Sequence, residues 1–515
     1  MTVENQARIS IPGRSNDPAR LADPIDRRMW LSLTLGVALI YLAFLPPGIY
    51  SMDGNGMLAV AESLVAHHSW AVPQELGLPG RGGQFFGKWY PLQSVLAVPL
   101  VAVATEAAHL LRVPAHYLSA IVSLVLPAIF TAATAGLVGL ISMRLGSSVV
   151  GAQVAAVSYA FGTIALTYAR TFYAEPLLAL LTAAAICAAL ASSPRQIVYA
   201  ALSAMLAVFA KPTGIVVGPV ISAYLLVKTR SLKLSLIPAF GSFAGLSIYC
   251  CYNYMRFGHP LMFGQPWSFR LQTMPEGFVG LLFSPGRGLF WYCPTVVLSV
   301  AAFQKVKKSN LLGALLPVTM FAGFLLLHCF WAFWSGGWSW GPRFLLPGLP
   351  GLAALLGHLE AQWRRGLIVL TAVGFLINAP TLFTFYERYY AEENEQGVSE
   401  RDTLWSFSRA PFLHAWPAAA RQVQDARKFD VRELMSQRGV SPATTISSSR
   451  ALRIVAVWWW VLPIAHIPRV LGAIVSLLLL ASGVIVLLRA LRPAWASVRG
   501  SAESLQFYTD RPVKE

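Results

Sequence analysis

Long apolar runs recur along the chain, and short polar turns separate them. A transmembrane helix needs about 20 consecutive apolar residues. The runs of about that length are residues 29–50, 116–142, 148–168, 176–192, 196–210, 213–227, 234–252, 289–303, 311–330, 344–360, 366–385 and 470–488. This pattern predicts an all-α polytopic membrane protein with about twelve transmembrane helices.

The positions of Lys and Arg predict which way these helices run. Cytoplasmic turns are enriched in both residues, and placing residues 1–28 inside gives every inner turn at least one cation. The alternation then requires the apolar residues 91–111 to lie along the outer surface, and Pro99 and Glu106 agree with that placement. The sequence alone leaves open whether this segment crosses.

Five segments follow from this topology. They are a cytoplasmic tail at 1–28, a transmembrane module at 29–230 with its first outer loop at 51–115, a second transmembrane module at 231–385, an extracytoplasmic loop at 386–468, and a last helix with a cytoplasmic tail at 469–515. The first outer loop begins with a segment whose apolar positions repeat with helical spacing. It predicts an amphipathic helix on the outer membrane surface.

The composition narrows the class of protein further. Hydrophobic residues make up 56% of the 515 residues and charged residues 12%, about half the charged share of a soluble protein. This excludes a disordered chain, a fibrous repeat and an ordinary cytosolic enzyme. The net charge of +17 would suit nucleic acid, anionic lipid or an anionic substrate, but no basic soluble domain is visible for nucleic acid. The five cysteines have no ligand spacing and predict neither disulfides nor a metal site.

Six cations fall on the predicted outer side, where the rule for Lys and Arg disfavours them. They are Arg170, Lys211, Arg256, Arg270, Arg287 and Arg343. Any one of them could extend to the phospholipid headgroups. Six at one face indicate a bound anion.

Two carboxylates are predicted at the same face. Asp53 follows the first span, where it could cap the outer helix, act as a base, or do both, because each role needs an ionised carboxylate at a fixed place. Glu175 precedes Pro176 and suits the first turn of a helix, so it too has a purely structural explanation. Two carboxylates beside several cations nevertheless suit acid–base work on an anionic substrate.

These elements follow one another in a familiar order: an apolar span, Asp53, the element Lys88-Trp89-Tyr90-Pro91, and Glu175 after the third span. In this order they resemble the GT-C superfamily of integral-membrane glycosyltransferases, especially the branch with the protein O-mannosyltransferases and the lipid A aminoarabinose transferase. The resemblance covers roughly residues 29–230, the common module, and leaves 231–385 as a variable module.

Motifs in the later part resemble those of uncharacterised bacterial members. They lie at 253–260, 282–289 and 336–343. The chain departs from the pattern in three places: Asp53-Gly54 replaces an Asp-Glu pair, Lys-Trp-Tyr-Pro replaces Lys-Pro-Pro, and the second acid is Glu. The fold and reaction class survive these changes, whereas the sugar and the acceptor stay open.

The resemblance implies an inverting glycosyltransferase at the outer face of a bacterial inner membrane. It would move a sugar from a polyprenyl phosphate to a hydroxyl of a glycan, lipid or protein. Asp53 would be the general base and Glu175 the second acidic site, while Lys88 and Lys211 would line the donor-phosphate pocket. Membrane lipids are further partners, and nucleic acid is not one.

Cations matter most in such a reaction, because a lipid phosphate leaves without a general acid. The residues predicted to contact the donor phosphate are Lys88, Lys211, Arg287, Arg343 and Arg170. Arg287 stands in a glycine-flanked turn where backbone N–H groups could also face a phosphate. The residues predicted to line a substrate or lipid groove are Tyr90, Trp338, Trp340 and Arg256. For the two tryptophans, an interfacial aromatic belt is the alternative.

No cofactor is implied with certainty and no metal ligands are predicted, although a divalent cation bridging carboxylate and phosphate stays open. A transporter or flippase of a lipid-linked saccharide is the alternative function. It would favour repeated halves and charges near mid-membrane. A non-catalytic scaffold would give no reason for the carboxylates and cations to converge. The oligomeric state is not indicated.

Overall fold

The structure is a computed structural model that describes residues 24–264, 268–428 and 456–509. The predicted tail before residue 24 and residues 429–455 of the predicted outer loop lie outside the described residues. Within them, almost all regular structure is helical. The described strands form one hairpin, β1 (Leu78–Pro79) with β2 (Phe85–Phe86), paired antiparallel.

The first eleven helices belong to the predicted first module and to the start of the second. They are α1 (Pro24–Ala43), α2 (Met52–His67), α3 (Pro91–Leu111), α4 (Ala115–Ser123), α5 (Val125–Arg144), α6 (Val149–Gly162), α7 (Ala165–Tyr168), α8 (Glu175–Ala191), α9 (Pro194–Ala210), α10 (Val217–Thr229) and α11 (Leu232–Phe257).

The later helices complete the described part of the fold. They are α12 (Met274–Phe283), α13 (Leu289–Tyr292), α14 (Ser299–Cys329), α15 (Leu349–Leu355), α16 (Ala361–Asn378), α17 (Tyr386–Glu395), α18 (Glu400–Trp405), α19 (Pro411–Lys428) and α20 (Arg469–Thr509). Short 3-10 segments join several of them, among them Pro212–Val216 and Arg343–Gly348.

Seven described segments are long and apolar enough to cross a membrane. They are Pro91–Leu111, Ala115–Arg144, Pro212–Thr229, Leu232–Phe257, Pro294–Cys329, Ala361–Leu382 and Arg469–Arg492. Four shorter apolar helices are Met29–Ala43, Val149–Gly162, Glu175–Ala191 and Pro194–Ala210. The prediction of an all-α polytopic membrane protein is confirmed.

The predicted spans 289–303 and 311–330 meet inside α14. The backbone of Asn310 leaves the helical region, with φ −150° and ψ 75°. The Asn310 side chain then accepts a hydrogen bond from the Gly313 N–H at 2.8 Å, as the cap of a new helix does. The break therefore falls at the predicted turn between the two spans, directly after the predicted cytoplasmic lysines.

Two glycines bring the first and last helices together. Gly36 of α1 lies so close to α20 that a Cβ there would come within 2.9 Å of the Leu487 nitrogen and 3.0 Å of the Gly483 oxygen. A Cβ on Gly483 would in turn meet α1 at 2.9 Å. Small residues allow such close backbone approach between helices in lipid, so the first span closes the bundle against the last.

Both ends of the segment that contains α3 and α4 lie near Ser51. Tyr90, just before α3, lines a cavity that also contains Ser51, and Leu124, just after α4, lines a smaller pocket with the same Ser51. The length and apolarity of α3 would allow it to cross a membrane, and its placement along the outer surface stays a prediction.

The helix α2 begins two residues before the place that a cap at Asp53 would give. Ser51 is its N-cap, because the Ser51 Oγ accepts a hydrogen bond from the Gly54 N–H at 3.1 Å. The alternative role of Asp53 as the cap is therefore wrong. Asp53 lies in the first turn instead, where a carboxylate complements the helix dipole and its side chain remains available to other groups.

Candidate active site

A cavity of about 410 Å³ lies beside the N-terminus of α2. Its walls come from segments far apart in the chain: the start of α2, the loop before α3, the loop before α8, the end of α9, the loop after α14 and the start of α17. The charged side chains that line it are Asp53, Lys88, Lys211, Arg343 and Glu387. The fold thus brings together four of the predicted charged site residues and one charged residue, Glu387, that was not predicted.

Four of the charges in and beside the cavity form a chain of contacts. Arg343 Nη1 donates to Asp53 Oδ2 at 3.1 Å, and Arg343 Nε lies 3.7 Å from Glu175 Oε1. Lys211 Nζ donates to the same Glu175 oxygen at 2.7 Å. Glu175 therefore holds two cations in place, and Arg343 links the two carboxylates that the sequence predicted to act together.

Exposure separates the two carboxylates. The side chain of Asp53 is 31% exposed and lines the cavity, whereas that of Glu175 is 3% exposed and lies behind its cations. A group that takes a proton from a substrate must reach it. Asp53 is placed to do so, and Glu175 is placed to position Lys211 and Arg343.

Two aromatic rings fix the guanidinium of Arg343. Its Cζ lies 4.4 Å from the centroid of Tyr173 and 4.9 Å from that of Phe344. The Nζ of Lys211 also faces Phe344, at 4.4 Å. These cation–π contacts orient the planar group without occupying its N–H donors, which leaves it suited to a planar or tetrahedral anion.

Lys88 lines the cavity, and its neighbour Trp89 packs against α2. The Trp89 ring lies over Gly56 of α2, where a Cβ would come within 1.8 Å of it, and Lys88 Nζ is 5.2 Å from the Trp89 ring centroid. Among the described residues, no carboxylate lies within 4 Å of Lys88 Nζ. Lys88 is thus a cavity cation whose charge is not neutralised by an ion pair in the described part of the chain.

Tyr90 and Trp338 line the cavity as expected, while Trp340 does not. The Trp340 ring is buried, its Nε1 donates to Asn378 Oδ1 at 2.8 Å, and it packs against Tyr292. The prediction that Trp340 lines a groove is corrected here: it belongs to the core beneath the loop.

The prediction that Arg287 contacts the donor phosphate is also corrected. Its guanidinium is buried, with Nε donating to Ser335 O at 3.1 Å, and further donors reaching Gly337 O and the Tyr390 hydroxyl. These contacts hold the loop that carries Gly336 and Gly337. Both glycines have positive φ, 73° and 64°, where other residues are strained. Arg287 therefore positions the cavity wall from behind.

Arg170 and Arg256 likewise bond to the protein rather than to the cavity. Arg170 donates to the carbonyl oxygens of Phe44, Thr381 and Ala456. Arg256 donates to Gly87 O and to Asn253 Oδ1, the latter at 2.7 Å. Neither lines the cavity. Arg170 ties together three distant segments, and Arg256 anchors the loop that presents Lys88.

Glu387 is the functional candidate that the sequence interpretation missed. It is 6% exposed, lines the cavity, and burial raises the pKa of its carboxyl to about 7. The available signal was its place directly after an apolar span on the predicted outer side, the same kind of position that singled out Asp53. Because residues 386–468 are predicted as one outer loop, this position does not stand out in the sequence.

The charges that line the cavity, together with Glu175 directly behind them, nearly balance. Lys88, Lys211 and Arg343 supply +3, and Asp53 and Glu175 supply −2, which leaves +1 before Glu387 is counted. Among the described residues, no group of three or more His, Cys, Asp or Glu side chains could hold a metal ion. The arrangement suits an anion that meets cations on one wall and a carboxylate beside them.

No protein-family model matches the sequence, and no curated protein does. Among solved structures, the chain is similar to ArnT from Cupriavidus metallidurans. The apo form has a TM-score of 0.47 at 15% identity, over 88% of this chain and 76% of that one. The form bound to undecaprenyl phosphate has a TM-score of 0.48 at 14% identity, over 88% and 77%.

A second similar structure is the archaeal oligosaccharyltransferase AglB from Archaeoglobus fulgidus, in complex with an inhibitory peptide and a dolichol-phosphate. Its TM-score is 0.39 at 13% identity, over 84% of this chain and 57% of that one. At these scores and identities, the similarities assign no family, donor, acceptor or residue role to this chain.

Proposed function

We propose that the protein is a glycosyltransferase that moves a sugar from a polyprenyl phosphate to a hydroxyl acceptor, in the outer leaflet of a bacterial inner membrane. The observation that carries the proposal is the shared cavity of Asp53, Lys88, Lys211 and Arg343 in a polytopic membrane protein. A lipid-linked substrate reaches such a site from the bilayer, and its phosphate matches the cations.

The proposed reaction uses each group once. The acceptor oxygen bonds to C1 of the sugar as Asp53 takes its proton, and the bond from C1 to the phosphate oxygen breaks. The polyprenyl phosphate leaves with the electron pair, and Lys88, Lys211 and Arg343 stabilise its growing charge. Attack opposite the leaving group inverts the configuration at C1. No general acid is required, because the leaving group is already a phosphate ester.

Asp53→Asn tests the proposed base. The substitution keeps the size of the side chain, and Ser51 still caps α2, so the variant should fold normally. We expect transfer to fall by about two or more orders of magnitude, the usual scale for a lost general base. The donor for the assay is the lipid that copurifies with the wild-type protein, identified by mass spectrometry, and the readout is release of polyprenyl phosphate.

Asp402→Asn is the matched control, because Asp402 is exposed on α18 and outside the cavity. Its turnover should equal that of the wild type. Near-normal turnover of Asp53→Asn would remove Asp53 from the chemistry. If the wild-type protein neither copurifies with nor binds a polyprenyl phosphate or its glycosylated form, the proposed function itself is wrong.

A further inference from the structure

Glu387 is the one charged side chain of the cavity that the proposed reaction does not use. It stands in the first turn of α17 and lines the cavity on one side and a smaller pocket beside Ser51 and Tyr50 on the other. Asp53 and Glu175 each form ion pairs with cations within 4 Å, whereas no described ion pair within 4 Å includes Glu387. Burying an ionised carboxylate without an ion pair costs free energy, which favours the protonated form of Glu387.

Six titratable or charged groups interact electrostatically with Glu387. They are Tyr50, Arg170, Tyr173, Arg343 and Tyr390 from other segments, and Tyr386 from its own helix. The two arginines are engaged elsewhere, Arg170 with backbone carbonyl oxygens and Arg343 with Asp53. Hydrogen bonding from the Glu387 backbone and from Tyr386 also favours the ionised carboxylate, but desolvation outweighs these contributions, and burial raises the pKa of Glu387 to about 7.

The charge that a substrate phosphate meets depends on this one proton. With Glu387 protonated, the cations and the two other carboxylates leave a sum of 3 − 2 = +1, and with Glu387 ionised the sum is 0. A bound phosphate adds negative charge to the same space and disfavours ionised Glu387 further. A protonated carboxyl can instead donate its O–H to a phosphate or sugar oxygen.

We propose that Glu387 belongs to the donor-binding site as a carboxylic acid, and that binding of a lipid phosphate in the cavity takes up one proton at this residue. The inference rests on the proposed function in so far as the ligand is a polyprenyl phosphate. By linkage, the affinity then falls as the pH rises above about 7, by up to about tenfold per pH unit.

Direct binding of polyprenyl phosphate tests the proposal. The full-length wild type, Glu387→Gln and Glu395→Gln are compared at pH 6, 7, 8 and 9 and at fixed ionic strength. Glu395 lies about two turns further along α17 and is exposed, so its variant is the matched control. The ligand has its own ionisation near pH 6, but this is common to all three proteins and cancels in the comparison.

Between pH 6 and pH 8, the Kd of the wild type and of Glu395→Gln should rise about tenfold more than that of Glu387→Gln. Glutamine stays neutral and should keep tight binding at pH 8. Calorimetry of the wild type in buffers with different ionisation enthalpies supplies a readout without any variant. It should show uptake of about one proton per ligand at pH 8.

The outcomes separate the two proposals. Equal pH dependence in the wild type and Glu387→Gln, or no proton uptake at pH 8, overturns the role of Glu387 and leaves the proposed function standing. If polyprenyl phosphate does not bind to the wild type at any pH, both proposals are overturned.

Discussion

The ion pair of Glu175 and Lys211 should respond unequally to loss of either partner. Glu175→Gln leaves Lys211 Nζ, which is 6% exposed, without a described carboxylate within 4 Å. Lys211→Met leaves Glu175 with a remaining cation, because Arg343 Nε lies 3.7 Å from the same oxygen. Glutamine keeps the shape of Glu175, and methionine keeps the unbranched stem of Lys211 as far as Cε, so the differences report mainly on charge.

The expected magnitudes follow from burial. Removing one partner of a buried ion pair costs about 3–5 kcal/mol, since a buried charge is left without compensation. We expect Glu175→Gln to be near that range and Lys211→Met to cost less. The double variant removes both charges and should be more stable than Glu175→Gln, with a coupling energy of about 1–3 kcal/mol. Its affinity for polyprenyl phosphate should still fall about tenfold, because one phosphate contact is lost.

With the partly exposed Cys250 and the exposed Cys251 replaced by serine in all variants, a thiol-reactive dye can follow unfolding, because Cys187, Cys293 and Cys329 are buried in the folded protein and react only once it unfolds. The matched control is the pair Lys305 and Glu360, which has the same 2.7 Å separation but is about half exposed on both sides. Glu360→Gln should change the unfolding temperature hardly at all.

Two results would refute this account of the network. One is a Glu175→Gln variant no less stable than Lys211→Met. The other is a double variant that binds polyprenyl phosphate as tightly as the wild type, which would make the pair a stabilising feature with no part in binding.

Two further predictions concern the cavity wall and its carboxyl. Gly336→Ala should weaken lipid-phosphate binding more than Gly82→Ala. Both glycines have positive φ, 73° and 66°, but a Cβ at position 336 would lie 3.3 Å from Arg343 Nε, whereas a Cβ at position 82 would meet nothing within 4 Å. Equal binding by the two variants would show that the loop tolerates the methyl group. Raising the pH from 5 to 8 should lower the unfolding temperature of the wild type more than that of Glu387→Gln. In the folded protein the pKa of Glu387 is raised from 4.5 to about 7, so its contribution to stability is full below pH 4.5 and is lost as the pH rises through about 7. If the unfolding temperature of both proteins had the same pH profile, that pKa would be contradicted.

Much of the fold could be predicted from the sequence, because crossing a bilayer requires a length and an apolarity that single segments reveal. The break at Asn310 falls between two predicted spans for that reason. Asp53, Glu175 and Lys211 were also predictable, since each stands at the predicted outer end of a predicted span. Their distances were not predictable, because Asp53 and Arg343 are 290 positions apart and meet only through the packing of the bundle.

The roles of the outer arginines needed the structure for a different reason. Membrane topology predicts the face at which a cation lies, but its hydrogen-bond acceptors come from segments that no local pattern connects. Arg287 is next to glycines that would suit a phosphate, yet its donors end on the loop of Gly336 and Gly337. The same limitation applies to Glu387, which shares its pockets with Ser51, a residue more than 300 positions earlier in the chain.

The partners of the predicted outer cations divide them into two groups, which differ in how readily a phosphate can contact them. Arg170, Arg256 and Arg287 donate to backbone carbonyl oxygens, which are buried and would be left unsatisfied if the guanidinium turned to a ligand. Lys211 and Arg343 face carboxylates, which keep a favourable interaction with a cation that a phosphate also contacts. A phosphate can therefore contact Lys211 and Arg343 at low cost. To contact Arg170, Arg256 or Arg287 it would have to break hydrogen bonds that hold the surrounding segments together. Among cations that already have partners within the protein, those whose partners are charged thus indicate an anion site more strongly than those that donate to the backbone.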